Sequence, residues 1–383
     1  MSKSVAMLLI ITLVFSFGIN SVFAATNENM PFDIDAKSAI LIDSDTGTLL
    51  YEKNIHEKLP PASVTKVMTL YLVLEAVDGG KIKLSDIVQV SEHASSMGGS
   101  QVYLAPGEEM SVEDLIKAVA VSSANDAAVA LAEYIAGSEQ LFVDMMNDRM
   151  QKFGLNDTHF VNATGLPDDN HYTSVYDIAF VSMKLIEDHP SVFKYSSIWM
   201  DTLRDGKFGL ANTNKLIRSY GADGLKTGST DKAKFCLSAT KKVDGTRLIA
   251  VLFGAPNSKV RFNEAAKLLD YGFANYETYN LYKKNEIIGK VAVDKGNIDL
   301  YSAKAPDDIS ILIKKGEEDN ITKSLQLVPK IKAPVKTGYV VGNITVKDGD
   351  NVIKKIPIKL DRDIPKASIM DLIKKIYRSS LDF

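Results

Sequence analysis

A single cysteine, Cys236, in 383 residues leaves no partner for an internal disulfide and no cysteine cluster for a metal. It stands in the apolar run FCLSAT, where a buried structural thiol is expected rather than a nucleophile. Charge of either sign is not in excess: 45 lysines and arginines face 48 aspartates and glutamates, a formal net charge of -3. No basic field is available to hold a nucleic acid. Beyond the first two dozen residues no run is long and apolar enough to span a bilayer, so the body is expected to be soluble. Histidines number only five; His159 and His171 share a loop, but no further ligands at metal spacing surround them, and no metal or cofactor is expected.

The N-terminus is less neutral. After Met1-Ser2-Lys3-Ser4 comes VAMLLIITLVFSFG and then INSVFAAT, with Val22 and Ala24 at the small positions before a cleavage point. That order describes an export signal peptide over residues 1–24, with an uncleaved membrane anchor as the alternative. Either one puts the remainder outside the cytoplasmic membrane.

The 45% apolar content supports packed cores, and the length suits one domain of about 200 to 250 residues plus a smaller one. SAILIDSD and TLLYEKN have the spacing of a hairpin. A largely helical stretch from about Val64 to Ile135 follows, broken by loops, with Ser111 and Asp114 placed to cap the helix SVEDLIKAVAV. Helices over about 139–153 and 174–187 flank a polar loop over 154–173. From Gly224 the period changes: GLKTGST, AKFCLSAT and TRLIAVLFGA are expected as antiparallel neighbours, closed by a helix over about 260–273. Strands at both ends of a helical middle predict one antiparallel sheet with helices on both sides, an α/β or α+β domain over 25–277. Short β-type runs over 278–362 predict a small C-terminal all-β domain. In 363–383, Ile369, Leu372, Ile373 and Ile376 share a helical face beside Lys374, Lys375 and Arg378. Such a segment can lie on an anionic membrane surface or dock on its own domain.

Three short motifs carry the chemistry. Ser63 and Lys66 are three residues apart on a nearly all-apolar helix, so the amine can reach the hydroxyl. A lysine buried there is costly unless partnered or neutral, and a neutral lysine is a general base. Alone, this pair is equally an N-cap and a snorkelling lysine. Ser123-Ala124-Asn125 interrupts two alanine-rich runs; Ser123 could pass a proton and Asn125 could hold a substrate amide, or the triplet is an ordinary interhelix corner. Lys226-Thr227-Gly228 opens the later sheet, with a cation, a hydroxyl for a carboxylate and a glycine that lets a peptide approach the strand. A second Lys336-Thr337-Gly338, within APVKTGYVVG, is assigned no chemistry.

In that order and spacing the three motifs resemble the signature of penicillin-interacting serine enzymes, and the chain as a whole resembles the low-molecular-mass penicillin-binding proteins that are D-alanyl-D-alanine carboxypeptidases, peptidase family S11. The resemblance implies a transpeptidase-like fold and an acyl-enzyme on Ser63, with Lys66 as its base. It implies that Ser123 and Lys226 assist protonation of the departing D-alanine and that the backbone N–H groups of Ser63 and Ser229 form an oxyanion hole. Asn125, Thr227, Gly228 and Ser229 would bind substrate; Arg261 would attract the substrate carboxylate, with a solvated arginine as the alternative. The implied partners are peptidoglycan pentapeptide stems and, as covalent inhibitors, β-lactam antibiotics. No glutamate occurs in LNDTHFVNATGLPDDNHYTS, which speaks against a β-lactamase; Asp168 and Asp169 suit turn chemistry. An endopeptidase using the same Ser63 remains open, as does a noncatalytic wall-binding or β-lactam-sensing protein. In a spore-forming Gram-positive organism, trimming of spore peptidoglycan is the family-based expectation.

Overall fold

The computed structural model describes residues 32–373. The expected signal peptide, and the part of the tail carrying Lys374, Lys375, Ile376 and Arg378, lie outside the described residues.

Two strands from the front of the chain, β1 (Ser38–Asp43) and β2 (Leu49–Lys53), join three from its later part, β3 (Gly224–Thr230), β4 (Lys234–Val243) and β5 (Thr246–Ala255). The sheet runs β2-β1-β5-β4-β3, antiparallel throughout, so the motif-bearing β3 is an edge. β1 is buried along its whole length because both sheet faces are covered. Side chains alternate with period two. Ile40, Ile42, Ile249, Val251 and Phe253 enter the larger core. Ala39, Leu41, Leu248, Ala250 and Leu252 pack instead with Phe262, Ala265, Leu268 and Leu269.

Five helices build the larger core: α1 (Lys66–Asp78), α2 (Val112–Ser122), α3 (Asn125–Ala136), α4 (Glu139–Lys152) and α5 (Val175–Asp188). The closing helix α6 (Ser258–Asn275) covers the opposite face, giving the expected sheet with helices on both sides. α1 buries Val67 through Leu74 without a break and is central for that reason. The stretch before α3 is less helical than its sequence suggests, since Ile87–Gln89 and Glu109–Ser111 pair as a small hairpin with Val88 and Met110 buried. Strands of three residues are too short to leave an alternation in sequence.

Past α6 the chain is all β. Its first strand, Tyr276–Tyr282, begins slightly ahead of the expected boundary at 278, and pairs with Ile309–Lys314. Val291, Tyr301, Ile311, Val341, Ile344 and Ile358 form a separate core. Ile364 and Lys366 still bridge to Val335 and Gly296, so the β domain runs a few residues past 362. The second Lys-Thr-Gly is a loop before Val340, where Asp363 accepts from Lys336 Nζ at 2.7 Å and from the Thr337 amide at 2.9 Å. Ile369, Leu372 and Ile373 are exposed at the end of the described chain.

The Ser111 hydroxyl accepts from the Asp114 amide at 3.1 Å and caps α2, the helix that delivers Ser123. Ser111→Ala should lower stability by about 1 kcal/mol, read as a shift of the urea midpoint at unchanged slope; no shift would mean that the cap carries no net energy.

Candidate active site

Ser63 lies in a 3-10 turn, Ala62–Thr65, that runs directly into α1. Within that turn Ser63 is the one residue partly open to solvent. Ala62 before it has φ 48°, a left-handed conformation that a side chain pays for, and such strain gathers where geometry is functional. The 154–173 loop presses on this turn at Gly165, where a Cβ would come within 1.9 Å of the Ala62 carbonyl oxygen. Only glycine fits there.

Lys66 is fully buried. Its Nζ lies 3.0 Å from Ser63 Oγ, 2.6 Å from Asn125 Oδ1 and 2.7 Å from the Thr164 carbonyl oxygen. The amide and carbonyl oxygens can only accept, so they require the amine's N–H groups, whereas a hydroxyl can donate or accept. A neutral amine therefore satisfies all three neighbours, with its lone pair turned to the Ser63 proton. Burial pushes the Lys66 pKa well below its usual value, the Lys226 cation adds to the effect, and Asp126 opposes it.

The break between α2 and α3 supplies the next group. Ser123 ends α2 with φ 63° and is buried at 3% exposure; among the described residues its hydroxyl has no hydrogen-bond partner. Asn125 follows at the start of α3. Its Oδ1 accepts from Lys66, its Nδ2 donates to the Gly98 carbonyl at 2.6 Å, and its backbone N–H donates to the Ser100 carbonyl at 2.7 Å. The amide oxygen thus positions Lys66, while only one of the two Nδ2 hydrogens is taken inside the chain.

β3 closes the cleft. Lys226 is buried with its Nζ donating to the Thr227 carbonyl at 3.0 Å; burial, then Arg261, lowers its pKa to about 7. At Gly228 a Cβ would sit 2.7 Å from the Pro61 carbonyl oxygen and 2.9 Å from the Ser63 nitrogen, so the bare backbone is what lets this strand reach the serine turn. Ser229 next along is exposed. Arg261 is not solvated: at 6% exposure it donates from Nη1 to the Gly228 carbonyl at 3.1 Å and the Cys236 carbonyl at 3.3 Å, over the Phe262 and Phe235 rings. Held by backbone carbonyls behind the strand, it is engaged as a strap on β3 and as a source of positive potential. Burial lowers its pKa to about 10.

Cys236 is wholly buried, and burial pushes its thiol up to about 12, as befits a structural residue. His171 Nε2 lies 2.8 Å from Thr65 Oγ1 while its Nδ1 accepts from the Val161 amide at 3.2 Å; burial lowers its pKa to about 4. Its Nε2 holds the loop against the serine turn, and its Nδ1 ties the loop to itself. Asp168 accepts from the Asn170 amide at 2.7 Å, a turn contact. Two contributors were not singled out from sequence. Thr164 acts through its carbonyl, which any residue has; the signal was the preceding Asn162, whose Oδ1 accepts from the amides of Thr164 at 3.1 Å and Gly165 at 2.7 Å and shapes the loop. Thr213 accepts from Thr227 Oγ1 at 2.6 Å, and nothing local in its sequence marks it.

Residues 24–257 match the model of the D-alanyl-D-alanine carboxypeptidase family, peptidase S11, and residues 276–366 that of the penicillin-binding protein 5 C-terminal domain. The chain is 46% identical over 346 residues to D-alanyl-D-alanine carboxypeptidase DacF of Bacillus subtilis, covering 89% of each. Its fold is similar to that of penicillin-binding protein 5 from Haemophilus influenzae, with TM-score 0.76, 34% identity and coverage of 88% of this chain and all of that one. It is also similar to penicillin-binding protein D2 from Listeria monocytogenes in its cefotaxime-bound form, with TM-score 0.58 and 34% identity over 63% of this chain and 98% of that one.

Asn125→Ala removes an acceptor from a buried amine and should destabilise the fold by about 2 kcal/mol, measured by urea unfolding; wild-type stability in the variant would show that Lys66 is held adequately without it.

Proposed function

The chain belongs to the peptidase S11 family of D-alanyl-D-alanine carboxypeptidases, and on that premise we propose how its own residues carry the reaction. It is a serine-type carboxypeptidase of the penicillin-binding class that removes the terminal D-alanine from peptidoglycan pentapeptides, and it acts outside the cytoplasmic membrane. The observation that carries the residue assignment is the Lys66 amine, buried with no ion-pair partner among the described residues and 3.0 Å from the Ser63 hydroxyl.

Ser63 Oγ attacks the carbonyl carbon of the penultimate D-alanine while its proton passes to the lone pair of Lys66 Nζ. The carbonyl oxygen becomes an oxyanion, met by the backbone N–H groups of Ser63 and Ser229. Collapse breaks the peptide bond and leaves the acyl group on Ser63, and the departing amine takes a proton through Ser123 and Lys226. Water then repeats the path in place of the amine, returning Ser63 its proton and releasing the shortened peptide. The cation at Lys226 and the potential from Arg261 favour a substrate that ends in a carboxylate at the β3 edge. A β-lactam enters the same first step, and its ring opens onto Ser63.

Within this reading residues 1–24 direct export, 25–275 form the catalytic domain and 276–366 a β-domain stand. The last segment, from 367 on, lies on an anionic membrane surface; the exposed Ile369, Leu372 and Ile373 support that role, with basic residues following them in sequence.

Purified protein lacking 1–24 should release D-alanine from diacetyl-L-Lys-D-Ala-D-Ala, and S63A should release none and take no covalent penicillin label; full labelling of S63A would sink the nucleophile assignment. The two lysines fix the pH dependence. Lys66 must be neutral and its folded pKa is lowered, so kcat/KM rises as it loses its proton; Lys226 works charged, so the rate falls above about pH 7. A rate still climbing toward pH 10 would contradict this division. Deleting 368–383, beyond the last bridge of the β domain, should move the protein from the membrane to the soluble fraction, and unchanged fractionation would remove the tail as the anchor.

A further inference from the structure

Tyr103 stands 74% exposed between Val102 and Leu104, which are both buried. Its backbone has φ 56°, a left-handed conformation disfavoured for a tyrosine and kept only where the surroundings over-determine it. Two charged groups do so. The buried Asp126 carboxylate accepts from the amides on either side, Val102 at 3.1 Å and Leu104 at 3.0 Å. Arg204 Nη1 donates to the Val102 carbonyl at 2.9 Å and its Nη2 to the Tyr103 carbonyl at 3.2 Å. The clamp turns the ring outward, where it meets Phe208 at a centroid distance of 6.4 Å, and its hydroxyl has no hydrogen-bond partner among the described residues.

The clamp is also fastened to the cleft. Asp126 follows Asn125, the amide that holds Lys66, and the loop carrying Tyr103 takes the N–H bonds of Asn125 on the Gly98 and Ser100 carbonyls. Three residues reach at most about 11 Å, so the backbone of Tyr103 lies within that span of Ser100. On the other side, Arg204 and Phe208 belong to the hairpin of Met200–Leu203 and Phe208–Ala211, which runs on into Thr213; the Thr213 amide donates to Val121 and its hydroxyl meets Thr227. The ring therefore stands on a rim shared by the two segments that flank Ser123. That rim is electrically balanced: Arg204 also meets Glu108 through Nε at 2.8 Å and Nη2 at 3.2 Å while lying 5.3 Å from the Phe208 ring centre, so its charge is neutralised inside the fold. What faces outward is an apolar ring with a phenol hydroxyl at its edge. A sugar suits it, since the C–H face of a pyranose packs on the ring while a hydroxyl or acetamido group meets the phenol.

We propose that Tyr103, steadied by Phe208, is a subsite for the N-acetylated sugar that carries the stem peptide, so that the enzyme favours glycan-linked stems over free peptides. The proposal rests on the carboxypeptidase reading above. In a pentapeptide stem three residues separate the penultimate D-alanine from the sugar, and extended they span about 10 Å, the same scale as the reach from the Asn125 contacts to the ring.

The test compares wild type, Y103A and Y103F on three substrates that end alike: diacetyl-L-Lys-D-Ala-D-Ala, the free pentapeptide, and that pentapeptide carried on an N-acetylglucosaminyl-N-acetylmuramyl disaccharide. Wild type should favour the disaccharide substrate over the free pentapeptide. Y103A should lower kcat/KM on the disaccharide substrate about 3- to 10-fold, chiefly through KM, and cleave both free peptides at wild-type rates; Y103F, which keeps the ring, should retain most of the preference. Equal loss on the pentapeptide with and without sugar would overturn the proposal in favour of stem recognition. Equal loss on all three substrates would overturn it and leave Tyr103 a brace for the loop around Asn125, and an undiminished rate on the disaccharide substrate would overturn it as well. A wild-type protein that is acylated by benzylpenicillin yet releases no D-alanine from any substrate would sink the carboxypeptidase reading alone. Calorimetric binding of the disaccharide pentapeptide and the free pentapeptide to S63A and to S63A/Y103A then decides on Tyr103: a sugar-dependent affinity that is lost with the ring supports it, and equal affinities refute it.

Discussion

Burying the amine of Lys66 is the constraint on which the cleft depends. A charged lysine in an apolar interior costs several kcal/mol unless its N–H groups are met, and here three segments distant in sequence meet it: the turn at Ser63, Asn125 at the start of α3, and the Thr164 carbonyl of the 154–173 loop. Each of those segments has its own fastening. Asn125 is fixed to Gly98 and Ser100, the loop is shaped by Asn162 and pinned through His171 to Thr65, and the turn is pressed by Gly165 on one side and by Gly228 on another. The same burial that lowers the amine's proton affinity therefore fixes its distance from the serine, so base strength and geometry come from one arrangement.

A second feature follows from placing Lys66, Lys226 and Arg261 in one buried region. Like charges disfavour each other's protonation: Lys226 lowers the pKa of Lys66, and Arg261 that of Lys226. The arginine, hardest to discharge, is the one held by backbone carbonyls and aromatic faces behind β3. The result is a gradient, with a neutral base beside the serine and positive potential toward the strand that faces a carboxylate. The sheet makes this durable: β1 and β5 are covered on both faces, and the chemistry is confined to the edge strand β3 and the helices that meet it. The β domain has its own core and adds no side chain to the cluster around Ser63 and Lys66.

The short apolar, strand-type runs in SAILID and TRLIAVLFGA, the near-continuous apolar surface of α1 and the cap at Ser111 are local facts, and the sheet built from both ends of the catalytic domain was legible from them. So were Ser63 and Lys66, because i,i+3 spacing puts them on one face whatever the rest of the fold does. Less legible was the Ile87–Gln89 hairpin, whose strands are too short for any periodicity, and the reach of the β domain past 362, which rests on isolated bridges.

The sequence by itself determined which chemical groups exist and their local relations: a serine and a lysine one turn apart, a helix broken at Ser123, a glycine after Lys226-Thr227. Tertiary structure decided what each group faces. The oxygen of Asn125 is turned onto Lys66 and one of its N–H groups onto Gly98; Arg261 could lie in solvent but is enclosed beneath Gly228; Thr213 carries no local mark and meets Thr227 Oγ1 only through the fold. The physical reason is the range of the interactions. Periodicity and caps act within a turn or two of the chain, whereas burial, hydrogen-bond partners and shifted proton affinities depend on atoms brought together from segments as far apart as Lys66 and Thr164, and exist only once the core has closed.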